Sequence, residues 1–166
     1  SKCDPAEIGF DGAVEFAPDC ANLGPRLRGG EEALENAGED IESVCEEHML
    51  FDYRTLSDTM MAKDTPPWKW MRCVTPSWDN RARRQKDACV FIDSDPDSYR
   101  DWLERAIEHT DQRLLGEERI VFVNAWNEWA EGAYLEPDDR HGFGYLEAIQ
   151  RQLQHRNPPQ PAVGED

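Results

Sequence analysis

Arg119-Ile120-Val121-Phe122-Val123-Asn124-Ala125-Trp126 is the strongest strand signal in the chain. Its continuous apolar run predicts a strand of a parallel sheet, buried on both faces. Parallel strands need helical crossovers, so helices should flank it. Upstream, Asp95 or Ser94 caps a helix that has Pro96 in its first turn. Tyr99, Trp102, Leu103, Ala106 and Ile107 recur at i, i+3, i+4, i+7 and i+8 and give that helix one apolar stripe. It fades near Leu115-Gly116. Downstream, Gly144-Tyr145-Leu146-Glu147-Ala148-Ile149 opens a final helix through about His155.

Further out, Pro66-Pro67 break the chain before a second strand, Trp70-Met71-Arg72-Cys73-Val74-Thr75. Ile8-Gly9-Phe10-Asp11-Gly12-Ala13-Val14-Glu15-Phe16 reads as a short buried strand ending in a carboxylate, closed by Pro18. Residues 20–40, rich in Gly, Pro and acids, read as a surface excursion. Helical segments are expected within 31–48 and at about 53–63. Strands near 12–16, 70–75 and 119–125 should be parallel neighbours, with helices near 97–114 and 143–155 outside and Trp102 and Ile107 buried. The expected fold class is therefore α/β. A closed (β/α)8 barrel needs eight units and typically about 250 residues, whereas only about three units are visible in 166 residues. We read 1–156 as the C-terminal portion of such a TIM-type barrel, in preference to an open sheet, and 157–166, with three prolines, as a mobile tail.

Composition narrows the function. The net charge is −17, from 35 acids and 18 bases, and residues 1–66 hold 16 acids against 5 bases. That field argues against nucleic acid and anionic membranes as partners. No apolar run is long enough to span a membrane. The start, Ser1-Lys2-Cys3-Asp4-Pro5, lacks an apolar signal core and a Met, so a fragment or a processed chain is expected. Cys3, Cys20, Cys45, Cys73 and Cys89 are widely spaced, as are His48, His109, His141 and His155. No zinc spacing appears, so no metal or cofactor is expected, and free thiols suit a reducing cytoplasm.

The chemistry should lie in Asn124-Ala125-Trp126-Asn127-Glu128-Trp129-Ala130-Glu131-Gly132. There a buried strand end, two carboxylates at i and i+3, flanking tryptophans and a permissive glycine coincide. Catalytic groups of α/β barrels sit at the C-terminal ends of strands. On a helical turn, i and i+3 Cβ atoms lie about 5–6 Å apart, close to the roughly 5–5.5 Å that retaining glycosidases need. Close like charges split two carboxyl pKa values, leaving one acid and one base. Tryptophan faces receive the C–H faces of sugars. Glu128 and Glu131 are thus the candidate catalytic pair, with Trp126, Asn127 and Trp129 as sugar contacts. The competing reading makes Asn127 and Glu128 a helix cap and both tryptophans core.

Residues 121–147, from Val121-Phe122-Val123-Asn124-Ala125-Trp126-Asn127-Glu128-Trp129-Ala130-Glu131-Gly132 through Leu135-Glu136-Pro137-Asp138 to Gly144-Tyr145-Leu146-Glu147, resemble the C-terminal motif of the WbsX-type family. Members are usually labelled glycosyltransferases of bacterial surface-polysaccharide synthesis and are similar to glycoside hydrolase family 99. The resemblance extends to Thr75-Pro76-Ser77-Trp78-Asp79-Asn80-Arg81-Ala82-Arg83-Arg84 and to Gly9–Phe16. It implies a (β/α)8 barrel acting on glycans, of which this chain supplies about the last three units. The family's N-terminal half, which supplies other subsite residues, is absent and is a possible partner. The resemblance also implies endo-acting, retaining chemistry through a 1,2-anhydro sugar. Glu128 would deprotonate the sugar 2-hydroxyl, and Glu131 would protonate the leaving oxygen and then serve as base for water.

Secondary candidates are Trp78, Asp79 and Asn80, which follow a strand and precede the basic run Arg81, Arg83, Arg84 and Lys86. Either this is a solvated loop with a local salt bridge, or Trp78 and Asp79 touch sugar while the arginines meet a phosphate or acidic sugar. Glu15, at the first strand's end, and Glu136, in the matched motif, complete the candidate substrate-binding set. A hydrolase-like activity is the preferred expectation, because no G-x-G-x-x-G or D-x-D donor signature is present. A glycosyltransferase using an activated donor and an inactive glycan-binding module are the rivals.

Overall fold

The computed structural model describes residues 3–28 and 41–156. The expected tail at 157–166 lies outside them, as do most of the excursion at 20–40 and the first part of the helix expected within 31–48. In chain order the elements are β1 (Ala13–Val14), α1 (Ile41–Glu47), β2 (Met49–Asp52), α2 (Tyr53–Met61), β3 (Trp70–Met71) and β4 (Cys73–Val74). There follow β5 (Cys89–Ile92), α3 (Pro96–Arg113), β6 (Phe122–Val123), β7 (Asn127–Glu128), β8 (Ala133–Tyr134) and α4 (Gly144–Arg156).

Arg72 alone separates β3 from β4. This central segment pairs in parallel with β1 on one side (Ala13 opposite Trp70) and with β6 on the other (Cys73 opposite Phe122). Glu15 N–H donates to the Met71 carbonyl, and Asn124 N–H donates to the Val74 carbonyl, at 2.9 Å each. The three expected strands are therefore parallel neighbours. The regular pairing is shorter than the sequence runs. At the amino end, Asp4 caps a 3₁₀ turn at Pro5–Ile8 that closes on Gly9 at φ 85°, so residues 5–9 are not strand.

Strand residues alternate between faces, and the two faces differ here. On one, Arg72 reaches the carbonyls of Met60 and Met61 at the end of α2, and Val121 and Val123 pack on the main core. On the other, Val14, Phe16 and Phe122 are exposed. Burial of 119–126 on both faces is thus a correction: Phe122 keeps 39 % of its surface exposed, because helices back only one face among the described residues. Parallel α/β architecture is what the structure shows. The described residues do not close a barrel.

A second parallel pair, β2 with β5 in register from Met49–Cys89 to Asp52–Ile92, had no counterpart in the sequence reading. It joins the loop after β4, since Phe91 N–H donates to the Trp78 carbonyl at 2.8 Å. Of the two expected caps of α3 the structure uses Asp95, and it adds a capping box with Ser98. Asp95 accepts from Ser98 N–H, and the Ser98 hydroxyl accepts from Asp95 N–H. The α3 stripe buries Tyr99, Trp102, Leu103 and Ala106, with Trp102 edge-on to Tyr53 at 5.7 Å between ring centroids. Ile107 is only partly buried. Each large apolar side chain fully buried there contributes about 1.5–3 kcal/mol.

Candidate active site at the strand ends

The loops after β4 and β6 meet at the carboxyl ends of the parallel strands. Asn124 Nδ2 donates to the Ala17 carbonyl at 2.7 Å, tying the end of β6 to the turn after β1. Tyr53 Oη donates to the Thr75 carbonyl at 2.5 Å and fixes the end of β4. The Ala17–Pro18 and Asn124–Ala125 peptides are both cis.

The carboxylate segment is a hairpin whose tip is a single helical turn of the 3₁₀ kind, with Glu128 at its N-cap. Strands β7 and β8 pair antiparallel, Asn127 opposite Tyr134 and Glu128 opposite Ala133, around a single 3₁₀ turn at Trp129–Glu131. Gly132 reverses the chain at φ 61°. A Cβ there would lie 2.6 Å from the Asp79 backbone nitrogen, so only glycine fits. Around that close approach Asp79 N–H donates to the Glu131 carbonyl at 2.8 Å, and the Ser77 hydroxyl donates to the Gly132 carbonyl. The loop 75–79 is thereby pinned beneath the carboxylate turn.

Glu128 caps that turn without a side-chain hydrogen bond and is exposed. Glu131 is partly covered, its side chain 23 % exposed, and its carboxylate is held by the Arg83 guanidinium. Asp79 takes the Arg81 guanidinium on both oxygens at 2.7–3.0 Å. Trp126 and Trp129 are 52 % and 47 % exposed, so neither is core. The Trp129 ring stacks on Tyr134 at 3.8 Å, and its indole N–H donates to Glu136 at 2.6 Å. Asn127 is exposed on β7.

Other predicted residues lie deeper. Trp78 is 8 % exposed within the main core. Asn80 Oδ1 accepts from Cys89 N–H at 2.8 Å and joins the loop to β5. Glu15 is buried against Arg72 at 3.2 Å and Lys63 at 3.1 Å. The structure thus gathers Glu128, Glu131, Asp79, Trp126, Asn127, Trp129 and Glu136 around one hairpin, sets Trp78 and Asn80 in the loop that holds it, and keeps Glu15 apart, in the buried ion pair beside β1 and β3.

Sequence reasoning missed Tyr134. Burial and a hydrogen bond to Asp138 push its hydroxyl up to about 12. Asp138 itself is lowered: its partial burial acts against ionisation, but His141 N–H, the Tyr134 hydroxyl and Arg140 N–H outweigh it. The signal was the Gly132-Ala133-Tyr134 step, a turn glycine followed by an outward aromatic. Among the described residues no three His, Cys, Asp or Glu side chains converge to hold a metal ion. A recess of about 530 Å³ lies between α3, α4 and β6, and no predicted site residue lines it.

The family model for Glycosyltransferase WbsX matches residues 1–149. Two curated relatives, both called uncharacterized protein WxcX, come from strains of Xanthomonas campestris pv. campestris. One is 38 % identical over 150 residues and the other 37 %. The match covers 90 % of this chain and 20 % of each relative, so the chain spans about one-fifth of their length. No solved structure matches the chain.

Proposed function

The chain belongs to the WbsX glycosyltransferase family, and from that premise we propose that it carries the glycan-handling carboxylates of a larger protein of bacterial surface-polysaccharide metabolism. One observation carries the reading. An open carboxylate pair, Glu128 and Glu131, sits with two solvent-facing tryptophans on a hairpin pinned over the ends of parallel strands. Carbohydrate sites need ionisable groups for proton transfer and flat apolar faces for the sugar, and here both are presented together. Trp126, Trp129, Asn127, Asp79 and Glu136 make the sugar-facing set. Trp78 and Asn80 support it through the loop after β4, and Glu15 braces the neighbouring strands through Arg72.

We favour hydrolase-like, endo-acting and retaining chemistry. Glu128 takes the proton of the sugar 2-hydroxyl while that oxygen attacks the anomeric carbon. Glu131 gives its proton to the departing glycosidic oxygen. Water then opens the 1,2-anhydro sugar, losing a proton to Glu131 as Glu128 returns its own to the 2-oxygen. The exposed apolar face of Val14, Phe16 and Phe122 supports completion of the sheet into a barrel by further βα units of the longer protein. The absence of a disulfide at Cys20, Cys73 and Cys89 among the described residues supports a cytoplasmic setting. Among the described residues no helix is long and apolar enough to cross a membrane.

The family's own description favours a second reading, transfer from an activated sugar donor. Incubating a full-length Xanthomonas relative with a polysaccharide panel, with and without nucleotide sugars, separates the two. Oligosaccharide release without donor is the expected result. Product formed only when donor is present would replace hydrolysis with transfer, and binding without turnover would leave a glycan-binding module.

A further inference from the structure

We propose that the glycan handled at this hairpin is anionic, and that Arg83, Arg84 and Lys86 form the subsite for its carboxylate or phosphate group. The inference rests on the glycan reading above and gives the substrate class.

In a chain of net charge −17 with only 18 bases, four of the six residues from Arg81 to Lys86 are cationic. That concentration lies beside the carboxylate pair, and its place is fixed by the fold. Asp79 N–H bonds the Glu131 carbonyl, Asn80 ties the loop to β5, and Arg83 and Arg84 N–H groups both donate to the Asn80 carbonyl at 3.0 Å. Arg81 is occupied by Asp79. Arg84 donates only a long 3.4 Å bond to the Asp87 carbonyl and, like Lys86, forms no ion pair among the described residues. Both are exposed.

Arg83 shows what this loop can hold. Its guanidinium already grips a carboxylate, that of Glu131, which stands where an incoming acidic sugar or phosphate would bind. Guanidinium forks match both groups, through paired N–H donors. The acidic remainder of the surface would repel such a glycan, so local cations are needed for it to dock at all. An anion that takes the Arg83 fork also displaces the Glu131 carboxylate from it.

The test uses this chain and a glucuronic-acid-containing oligosaccharide, intact and with its carboxyls reduced to alcohols, followed by titration calorimetry at low and at 0.5 M salt. Wild type should bind the intact form about ten-fold tighter or more at low salt, with the preference shrinking at high salt. The preference should fall to near unity in Arg84→Gln/Lys86→Gln and in Arg83→Gln, with unchanged melting curves. Arg83→Lys should keep part of it, retaining the charge without the fork. Equal binding of both forms by wild type, or a preference that survives in these variants, would overturn the anionic subsite while leaving the glycan site standing. Binding of neither form would defeat the glycan reading, and this inference with it.

Discussion

Two carboxylate–guanidinium pairs at the strand ends have opposite surroundings. Glu15 and Arg72 are almost sealed, their side chains 2 % and 1 % exposed, and Glu15 also meets Lys63 and Cys73 N–H. Arg72 spends further donors on the Met60 and Met61 carbonyls and lies over the Trp70 ring at 4.4 Å. Glu131 and Arg83 form their pair at the surface, the arginine side chain 56 % exposed. One pair is desolvated and tied to both strand and helix, with only Arg72 Nε left without a partner, so its place is structural. The other has an exposed arginine and a partly covered Glu131, three residues after the exposed Glu128, and we read it as the pair that a ligand can enter. Burial and partner count, more than residue type, separate a structural carboxylate from one available for chemistry.

The comparison breaks most visibly in stability. Arg72→Ala leaves the buried Glu15 carboxylate with Lys63 as its remaining cationic partner and should cost up to about 3–5 kcal/mol, read from denaturant midpoints. Replacing Glu15 and Arg72 together with apolar residues should recover much of that loss. An Arg72→Ala protein as stable as wild type would mean that the buried pair holds nothing.

Next in size is Gly132→Ala, which joins the two loops of the open site. Left-handed backbone costs a non-glycine residue about 1–2 kcal/mol, and the collision with the Asp79 nitrogen adds to it. We expect a lower melting temperature together with a displaced Asp79 loop, visible as shifted amide resonances at 77–84. A full-strength fold with unchanged resonances would show that the pinning is not tight.

The smallest effect is a pH dependence around the sealed centre. His109 packs edge-on to Trp70, and its ring nitrogen contacts the Thr65 hydroxyl at 3.0 Å. Burial first, then Arg72 and Arg113, lower its pKa below the ordinary histidine value. With the folded pKa below the unfolded one, its contribution is complete above about pH 6.5 and is lost as pH falls below that value. Melting temperature should therefore decline from pH 7 to 5 by more in wild type than in His109→Gln. Parallel curves would remove His109 from the account.

The sequence revealed what periodicity and caps encode. The strands at 70–75 and 119–126, their parallel pairing and the start of α3 at Asp95-Pro96 were legible, because continuous apolar runs and a cap followed by proline are local signals. The β2–β5 pair was not. Met49–Asp52 runs into α2 with no punctuating Gly or Pro, and Asp52 is at once the last strand residue and the N-cap of α2. A helical turn at the carboxylates was a condition of the spacing argument, and a single 3₁₀ turn is there; the hairpin around it was not legible, because it depends on the contact of Gly132 with Asp79, 53 residues away in sequence. Trp78 followed the same logic: whether it faces sugar or core depends on the β5 contact at its carbonyl, which no local pattern announces.

The most direct test of the account is the activity of the open pair itself. A full-length family member whose matching segment is replaced by this chain would be assayed as wild type, Glu128→Gln and Glu131→Gln, on natural and on activated glycans. Both substitutions keep shape and remove ionisation, so melting curves should match. Loss of either proton-transfer group should lower kcat/KM by about 10²–10⁴. The Glu131 variant should recover on activated leaving groups that need no proton, whereas the Glu128 variant should not. Turnover equal to wild type in a well-folded Glu128→Gln protein would contradict the account.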